Sequence, residues 1–480
     1  MLSNGPLLIE NGYLLTMTGA GVGLVEQGSL AIEEGKIVKV GKAHEFSDMR
    51  SGAEKIDATG KAVMPGLVDA HIHSHLTLLR GEAQDIPENE WMIKTVAPFA
   101  KHLDEDSVIK GSALGVLEGV RSGTTLFGDY GSSMEKILRE VYSRIGARAN
   151  VCTSVNEISS LSGQDVKKPY AFDADVGERK LRENLELIET WHNALQGRVT
   201  CCLGPQAADM MSKELLLRVR DIAEEKNLMM HFHLAQGGRE SIQIKLRYGK
   251  STVQYLDGIG FLGPRVMGVH CHGASEDEIH LIAKRGVRMI SCPSSIGLID
   301  GIVSPLHAYL TAGGKSAALG SDQACGNNCH NMFAEMKIAA LLNKVRQRDP
   351  TALPAWKVLR LATIEGARTL GLGSRIGSLE PGKEADIILV DLKKPHLTPV
   401  LSGPVRNLAP NLVYSARGSE VATVIVGGRT VMHEGKVLTI DENRVLEDAQ
   451  KAAERVASHA EEDFFNAGSR LAYDMKSGLL

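Results

Sequence analysis

The sequence predicts an α/β protein: a parallel (β/α)8 barrel of the TIM type, carrying a small composite β-sandwich. Two observations predict it. Eight short apolar segments, each ending in polar residues and each followed by a helical stretch, occupy the middle of the 480-residue chain. On either side, residues 1–63 and 375–440 instead alternate apolar and polar residues between Gly-containing turns, the period-two pattern of half-buried strands. Neither flank alone has enough strands to bury a core, so the two are expected to combine beside the barrel, which spans 64–374. Residues 441–480 form a C-terminal helical extension.

Taken in order, LLIENGYLLTM, GSLAIEEGKIVKVG and KIDATGKAVM are the N-terminal strands. The barrel strands are VMPGLVDAHIH (63–73), GTTLFGDY (123–130), ARANVCTSVNE (147–157) and RVTCCLGPQ (198–206). They continue with LMMHFHLAQ (228–236), RVMGVHCH (265–272), VRMISCPSS (287–295) and KSAALGSD (315–322). Helical patterns lie between them, such as SKELLLRVRDIAEEKN (212–227) and SEDEIHLIAKRG (275–286). In the second, Ser275 with Glu278 makes a capping box and Gly286 a stop. The strand pattern returns as ADIILVDL (385–392) and EVATVIVGGRTVMHEGKVL (420–438). The final ENRVLEDAQKAAERVASHAEEDFF (442–465) is an amphipathic helix suited to packing.

Composition excludes several classes of function. With 43% hydrophobic and 23% charged residues, wholesale disorder and fibrous architectures are out. Fifty-four basic against 58 acidic residues leave a net charge of -4, and aromatics are only 4%, so neither an electrostatic footprint nor stacking platforms for nucleic acid are present. No apolar run approaches the ~20 residues needed to span a bilayer. The start, MLSNGPLLIENGYLL, lacks the basic region and cleavage site of a secretory signal. Seven scattered cysteines suit reduced thiols, so the cytoplasm is the expected compartment.

Chemistry concentrates at strand ends. His71-Ile72-His73 closes the first barrel strand, and residues two apart on a strand share a face, so both imidazoles can aim into the barrel mouth. His231-Phe232-His233 repeats this on strand five, and Asp322 closes strand eight. Histidines and an aspartate meeting there suit one divalent ion. Cys325, Cys329 and His330 could be read as a second metal clip, but small residues in a loop at the start of a helix account for them.

PGLVDAHIHSHLTLLRG (65–81), ALGSDQACGNNCHNMFAEMK (318–337), ATIEGARTLGL (362–372) and IGSLEPGKEADIILVDL (376–392) together resemble the amidohydrolase superfamily, in the branch that holds atrazine chlorohydrolase and S-adenosylhomocysteine deaminase. The resemblance implies that His71, His73, His233 and Asp322 ligate one divalent ion, zinc first and Fe2+ or Mn2+ as alternatives. His233 is preferred to His231 because it begins the family's His-x-x-Glu motif, and RVTCCLGPQ has no lysine for a bridging carbamate. The same resemblance gives His270, in GVHCHG, the attacking water or the substrate. His272, two residues on, can face the same way but is expected rather to be packed or solvent-exposed, and His75 lies near the metal at a position where the family varies. In this chemistry the ion makes hydroxide available at neutral pH, Asp322 takes the water's proton, and His270 polarises the electrophilic carbon.

Three positions depart from the family. Gln236 stands where a glutamate usually shuttles a proton, Gln206 replaces the histidine of Gly-Pro-His, and SCPSSIGL replaces His-Asn-Pro-x-Ser-Asn. Gln206, Gln236, His270 and Trp91 are the expected substrate contacts, with Asp322, His270 and Gln236 in catalytic roles. The expected function is metal-dependent hydrolysis of a C–N bond in a small heterocycle, by a homo-oligomer with no nucleic-acid or membrane partner. Displacement of chloride or a thiolate is the alternative within enzymes; a non-catalytic metal- or ligand-binding homologue is the other.

Overall fold

The computed structural model describes residues 6–49, 52–159 and 165–480; residues 1–5 of the N-terminal segment lie outside the described residues. Its strands fall into one nine-stranded sheet and two parallel four-stranded sheets.

The nine-stranded sheet is the composite unit. It takes β1 (Leu7–Leu15), β2 (Leu24–Glu33), β3 (Lys36–Lys42), β4 (Glu54–Asp57) and β5 (Lys61–Pro65) from the N-terminal flank. Antiparallel pairing of β5 with β14 (Ile387–Asp391) then joins it to β15 (Val421–Val426), β16 (Arg429–His433) and β17 (Lys436–Val437). Hydrogen bonding runs through all nine strands, so the expected sandwich is, in its pairing, one continuous sheet. Both flanks contribute to one of its apolar clusters, among them Ile9, Leu30, Ile37, Val63, Ile387 and Ile425.

The eight predicted barrel segments each contain an observed strand. β6 (Leu67–Ile72), β7 (Thr124–Gly131), β8 (Arg148–Thr153) and β9 (Val199–Cys201) form one parallel sheet; β10 (Met230–Leu234), β11 (Val266–His270), β12 (Arg288–Ser291) and β13 (Ala317–Leu319) form the other. Isolated parallel bridges occur at both seams, Leu203 with Met230 and Ile72 with Asp322. The segment expected as one strand over 63–73 is two, because the chain changes sheet at Gly66. A Cβ there would lie 2.1 Å from Thr125 Oγ1, so the crossover is too tight for any side chain.

A buried ion pair locks the sheets together: the Arg148 guanidinium on β8 donates to both Asp386 carboxylate oxygens at 2.8 Å, just ahead of β14, and to Glu384. Ser275 and Glu278 form the expected capping box, and Gly286 follows with φ +76°. The C-terminal helix Glu442–Ala467 packs Val456, Ala460 and Phe464 against Trp91, Val96 and Phe99, and so braces a segment that lines a cavity at the strand ends through Trp91 and Val96. Among the described residues no helix is long and apolar enough to cross a membrane.

Candidate metal centre and substrate cavity

At the C-terminal ends of the strands His71, His73, His233, His270 and Asp322 come together. One ring nitrogen from each of His71, His73 and His233 lies within 4.8 Å of the others, as do atoms of His71, His270 and Asp322. Asp322 Oδ1 is 3.4 Å from Nε2 of both His71 and His73.

The opposite ring nitrogens show how these side chains are oriented. His73 Nδ1 donates to the Tyr130 carbonyl at 2.8 Å, and His233 Nδ1 donates to the Gln206 carbonyl at 3.0 Å. A carbonyl only accepts, so each Nδ1 carries the proton and each Nε2 presents a lone pair inward. His71 Nδ1 meets instead the Nε2 of His231 at 2.8 Å. His71 Nε2 and Asp322 Oδ1 are buried with no hydrogen-bond partner. Buried polar atoms without partners are costly, and a cation among three imidazole lone pairs and a carboxylate would satisfy them. The residues fit the divalent ion that the sequence implies.

Backbone strain marks the same place. His270, Cys271, Asp322 and Ala235 all have positive φ, at +76°, +56°, +65° and +48°. Such conformations cost on the order of 1–3 kcal/mol each in non-glycine residues and persist only where the surroundings impose them. Around Asp322 they do: Ser321, its neighbour, donates from its backbone N–H and hydroxyl to Asp69 on β6, at 2.9 and 2.5 Å. The Ser295 hydroxyl donates to Asp322 Oδ2 at 2.6 Å. Burial would raise the Asp322 carboxyl, but the His71, His270 and His73 imidazoles around it hold it well below the usual carboxylate range. Burial pushes His270 down to about 3, against the opposing pull of Asp322, so its ring is neutral at working pH.

Above this floor opens a cavity of about 390 Å³ that all the expected substrate residues line. Trp91 is buried with an unpartnered indole N–H. The Gln206 side-chain carbonyl accepts from the Ser154 hydroxyl at 2.9 Å and from the Asn156 amide, which leaves its own amide group as a donor to the cavity. Gln236 lines the cavity, and its backbone N–H donates to Glu240 Oε2 at 2.7 Å. His75 lines it too, its ring pushed down to about 4 by burial.

Of the two orientations open to His272, the structure has the one that faces the site: its side chain is 2% exposed and lines the cavity, with Nε2 3.4 Å from Asp300 Oδ2. Asp300 and Glu88 join it as lining residues that the sequence reading did not single out. A Cβ on Gly237 would come within 3.3 Å of Asp300 Oδ1 and 3.5 Å of both Glu88 Oε1 and His272 Nε2, so the three groups surround one small space. Burial and the neighbouring Asp300 carboxylate raise the Glu88 carboxyl. No spacing rule links residues 88, 237, 272 and 300. Nor do Cys325 and Cys329 clip a metal with His330, whose ring instead bonds the Ser321 hydroxyl at 2.9 Å and that of Thr77 at 3.2 Å.

Comparison with known proteins agrees with this geometry. The amidohydrolase family model matches residues 62–431. A 5'-deoxyadenosine deaminase from Methanosarcina mazei is 38% identical over 94% of this chain and 98% of its own length. A 5-methylthioadenosine/S-adenosylhomocysteine deaminase from Desulforudis audaxviator is 38% identical over 94% and 99%. Among solved structures, a zinc-bound adenosine deaminase from Xanthomonas campestris superposes with a TM-score of 0.85 at 29% identity, over 94% of this chain and 98% of that one. A zinc-complexed atrazine chlorohydrolase from Arthrobacter aurescens has a TM-score of 0.81 over 93% of this chain and 100% of that one; at 22% identity it speaks for the fold alone. The chain therefore belongs to the amidohydrolase family.

Proposed function

We propose that the substrate is a small aminated heterocycle of the purine-nucleoside kind, whose exocyclic amino group is replaced by the oxygen of water. The observation that carries this reading is the set of inward-facing Nε2 atoms and Asp322 Oδ1 at the cavity floor, in a chain whose 38%-identical relatives are 5'-deoxyadenosine and 5-methylthioadenosine/S-adenosylhomocysteine deaminases. His71, His73, His233 and Asp322 would hold one ion, Zn2+ first for this nitrogen-rich set, with Fe2+ and Mn2+ as alternatives. When bound, such an ion lowers the pKa of water from 15.7 toward ~7.

The chain's own residues supply the rest. Asp322, an anion that would ligate through Oδ1, accepts the water's proton at Oδ2, the oxygen that also accepts from Ser295. Neutral His270, whose Nε2 is 3.9 Å from Asp322 Oδ2, polarises the ring at the attacked carbon. The Gln206 amide donates to a ring acceptor, and Trp91 packs against the heterocycle. Glu88 and Asp300, acceptors when ionised, meet hydrogen-bond donors on the remainder of the substrate.

Gln236 favours a second reading. An amide cannot hand a proton to departing ammonia near neutral pH, so a leaving group that departs as an anion, chloride or a thiolate, would need no such help. A paired assay of the wild type and Gln236→Glu over aminated, chlorinated and S-alkylated heterocycles separates the two. Under the second reading Gln236→Glu loses activity on the true substrate and gains weak ammonia release. A wild type that releases ammonia efficiently, and a variant that only accelerates it, eliminate that reading.

In the same proposal the two parallel sheets are one closed (β/α)8 barrel over residues 64–374, a reading supported by bridges at both seams. Residues 1–63 and 375–440 make the composite β unit and 441–480 the helical extension. Free cysteines throughout support a reducing compartment, the cytoplasm. Exposed Leu341 and Val345, one helical turn apart, offer a surface for a homo-oligomer.

A further inference from the structure

Behind the cavity floor, Cys152, Cys202 and His231 bring two sulfurs and a ring nitrogen within 4.8 Å of one another, all buried. Taken alone, this cluster has the makings of a second, softer metal site. Counting protons excludes that role while His71 serves as a ligand.

His231 Nε2 and His71 Nδ1 are 2.8 Å apart, and one hydrogen lies between them. For His71 to offer its Nε2 lone pair inward, its proton must sit on Nδ1 and be donated to His231 Nε2. A neutral imidazole has a single N–H, so the His231 proton is then on Nδ1, and that nitrogen has no lone pair for another ion. The opposite arrangement, Nε2–H of His231 donating to His71, would place the His71 proton on Nε2 and abolish it as a ligand. The two rings share one ligand position between them.

The two companion ligands do not face this choice, because main-chain carbonyls dictate their tautomers. His71 alone depends on a side chain that could be arranged either way. The His231 Nδ1 is buried without a hydrogen-bond partner, and the Cys152 and Cys202 sulfurs neighbour the ring. The Cys202 thiol directs its hydrogen to Asn150 Oδ1 at 3.6 Å and the Val151 carbonyl at 3.7 Å, and not to His231.

We propose that His231 is a positioning residue: it holds His71 in the tautomer that can bind a divalent ion. This rests on the reading of His71 as a metal ligand. Partners behind the ligands of a metal site typically change affinity 10- to 100-fold when removed.

The test is zinc affinity of the full-length protein by chelator competition, with thermal unfolding of the metal-free form as a fold control. His231→Leu should weaken zinc binding about 10- to 100-fold, and His231→Gln, whose side-chain carbonyl can accept from His71 Nδ1, should restore most of it. Wild-type affinity in His231→Leu, or no recovery in His231→Gln, overturns the proposal. A measurement on the wild type stands independently of variant folding: titration with Co2+ should give one equivalent without thiolate charge-transfer absorption. A thiolate band overturns the proposal, since it places an ion in the cysteine pocket. A wild type that binds neither Zn2+ nor Co2+ instead refutes the metal centre itself, an outcome distinct from unchanged affinity in the variants.

Discussion

On the cavity floor, His73 and His233 are each anchored twice, once by a β-strand and once by a carbonyl that grips the outer ring nitrogen. The wall opposite is assembled from loops and helix starts: Glu88 and Trp91 from one excursion, Gln206 from a second, Gln236 from a third and Asp300 from a fourth. There the Trp91 indole N–H is buried with no hydrogen-bond partner among the described residues. The difference reflects what each surface has to do. An ion tolerates little error in ligand position, and parallel strands in fixed register deliver it; a substrate differs from one enzyme to the next, and loops can change without disturbing the ladder beneath them. In this chain Gln206 and Gln236, two of the departures from the family pattern, lie on the wall; the third, SCPSSIGL, reaches the floor through the Ser295 hydroxyl on Asp322, and the floor keeps its ligands.

The sharpest way to break this contrast is at Asp322. Asp322→Asn should lower kcat about 10²- to 10⁴-fold, because the proton acceptor is lost, and should retain part of the bound metal through the amide oxygen. Elemental analysis beside steady-state kinetics checks both halves; undiminished turnover would remove Asp322 from the chemistry.

Away from both surfaces, Arg148→Met should leave Asp386 buried and unpaired at the joint between barrel and outer sheet. That costs about 3–5 kcal/mol of stability in chaotrope unfolding, with KM unchanged for the folded enzyme. A cost below about 1 kcal/mol would mean that the joint is held by its apolar contacts alone.

The smallest expected effect lies on the wall. Glu88→Gln and Asp300→Asn should each raise KM about tenfold while kcat stays within about threefold, the signature of a contact shared by ground and transition states. If kcat falls and KM does not, these carboxylates belong to the chemistry and the division between floor and wall is wrong.

Much of the floor was legible in the sequence because it is local. Alternation on a strand places His71 with His73 and His231 with His233 on common faces, and an apolar run ending in a polar residue marks where a barrel strand opens into the mouth. The helix starts at Ser212 and Ser275 were equally local, since each cap closes within three residues. The outer sheet was legible as strands but not as a pairing. That β5 meets β14 depends on bringing together residues more than 300 positions apart, and only the folded chain decides it.

Tertiary structure alone decided the rest, and for one physical reason: these features exist only where distant segments converge. Glu88, Gly237, His272 and Asp300 enclose one small space although no periodicity relates them. His231 and His233 are indistinguishable by strand geometry, and only the family motif chose between them. Their difference in role rests on what each ring meets: the carbonyl of residue 206 for His233, and the His71 ring for His231. By itself the sequence determined which chemistry could be assembled, because residue type and strand phase set the available donors. Where each proton rests, and which surface meets the substrate, followed from side chains brought into contact by folding, since hydrogen-bond partners and desolvation are properties of neighbours in space.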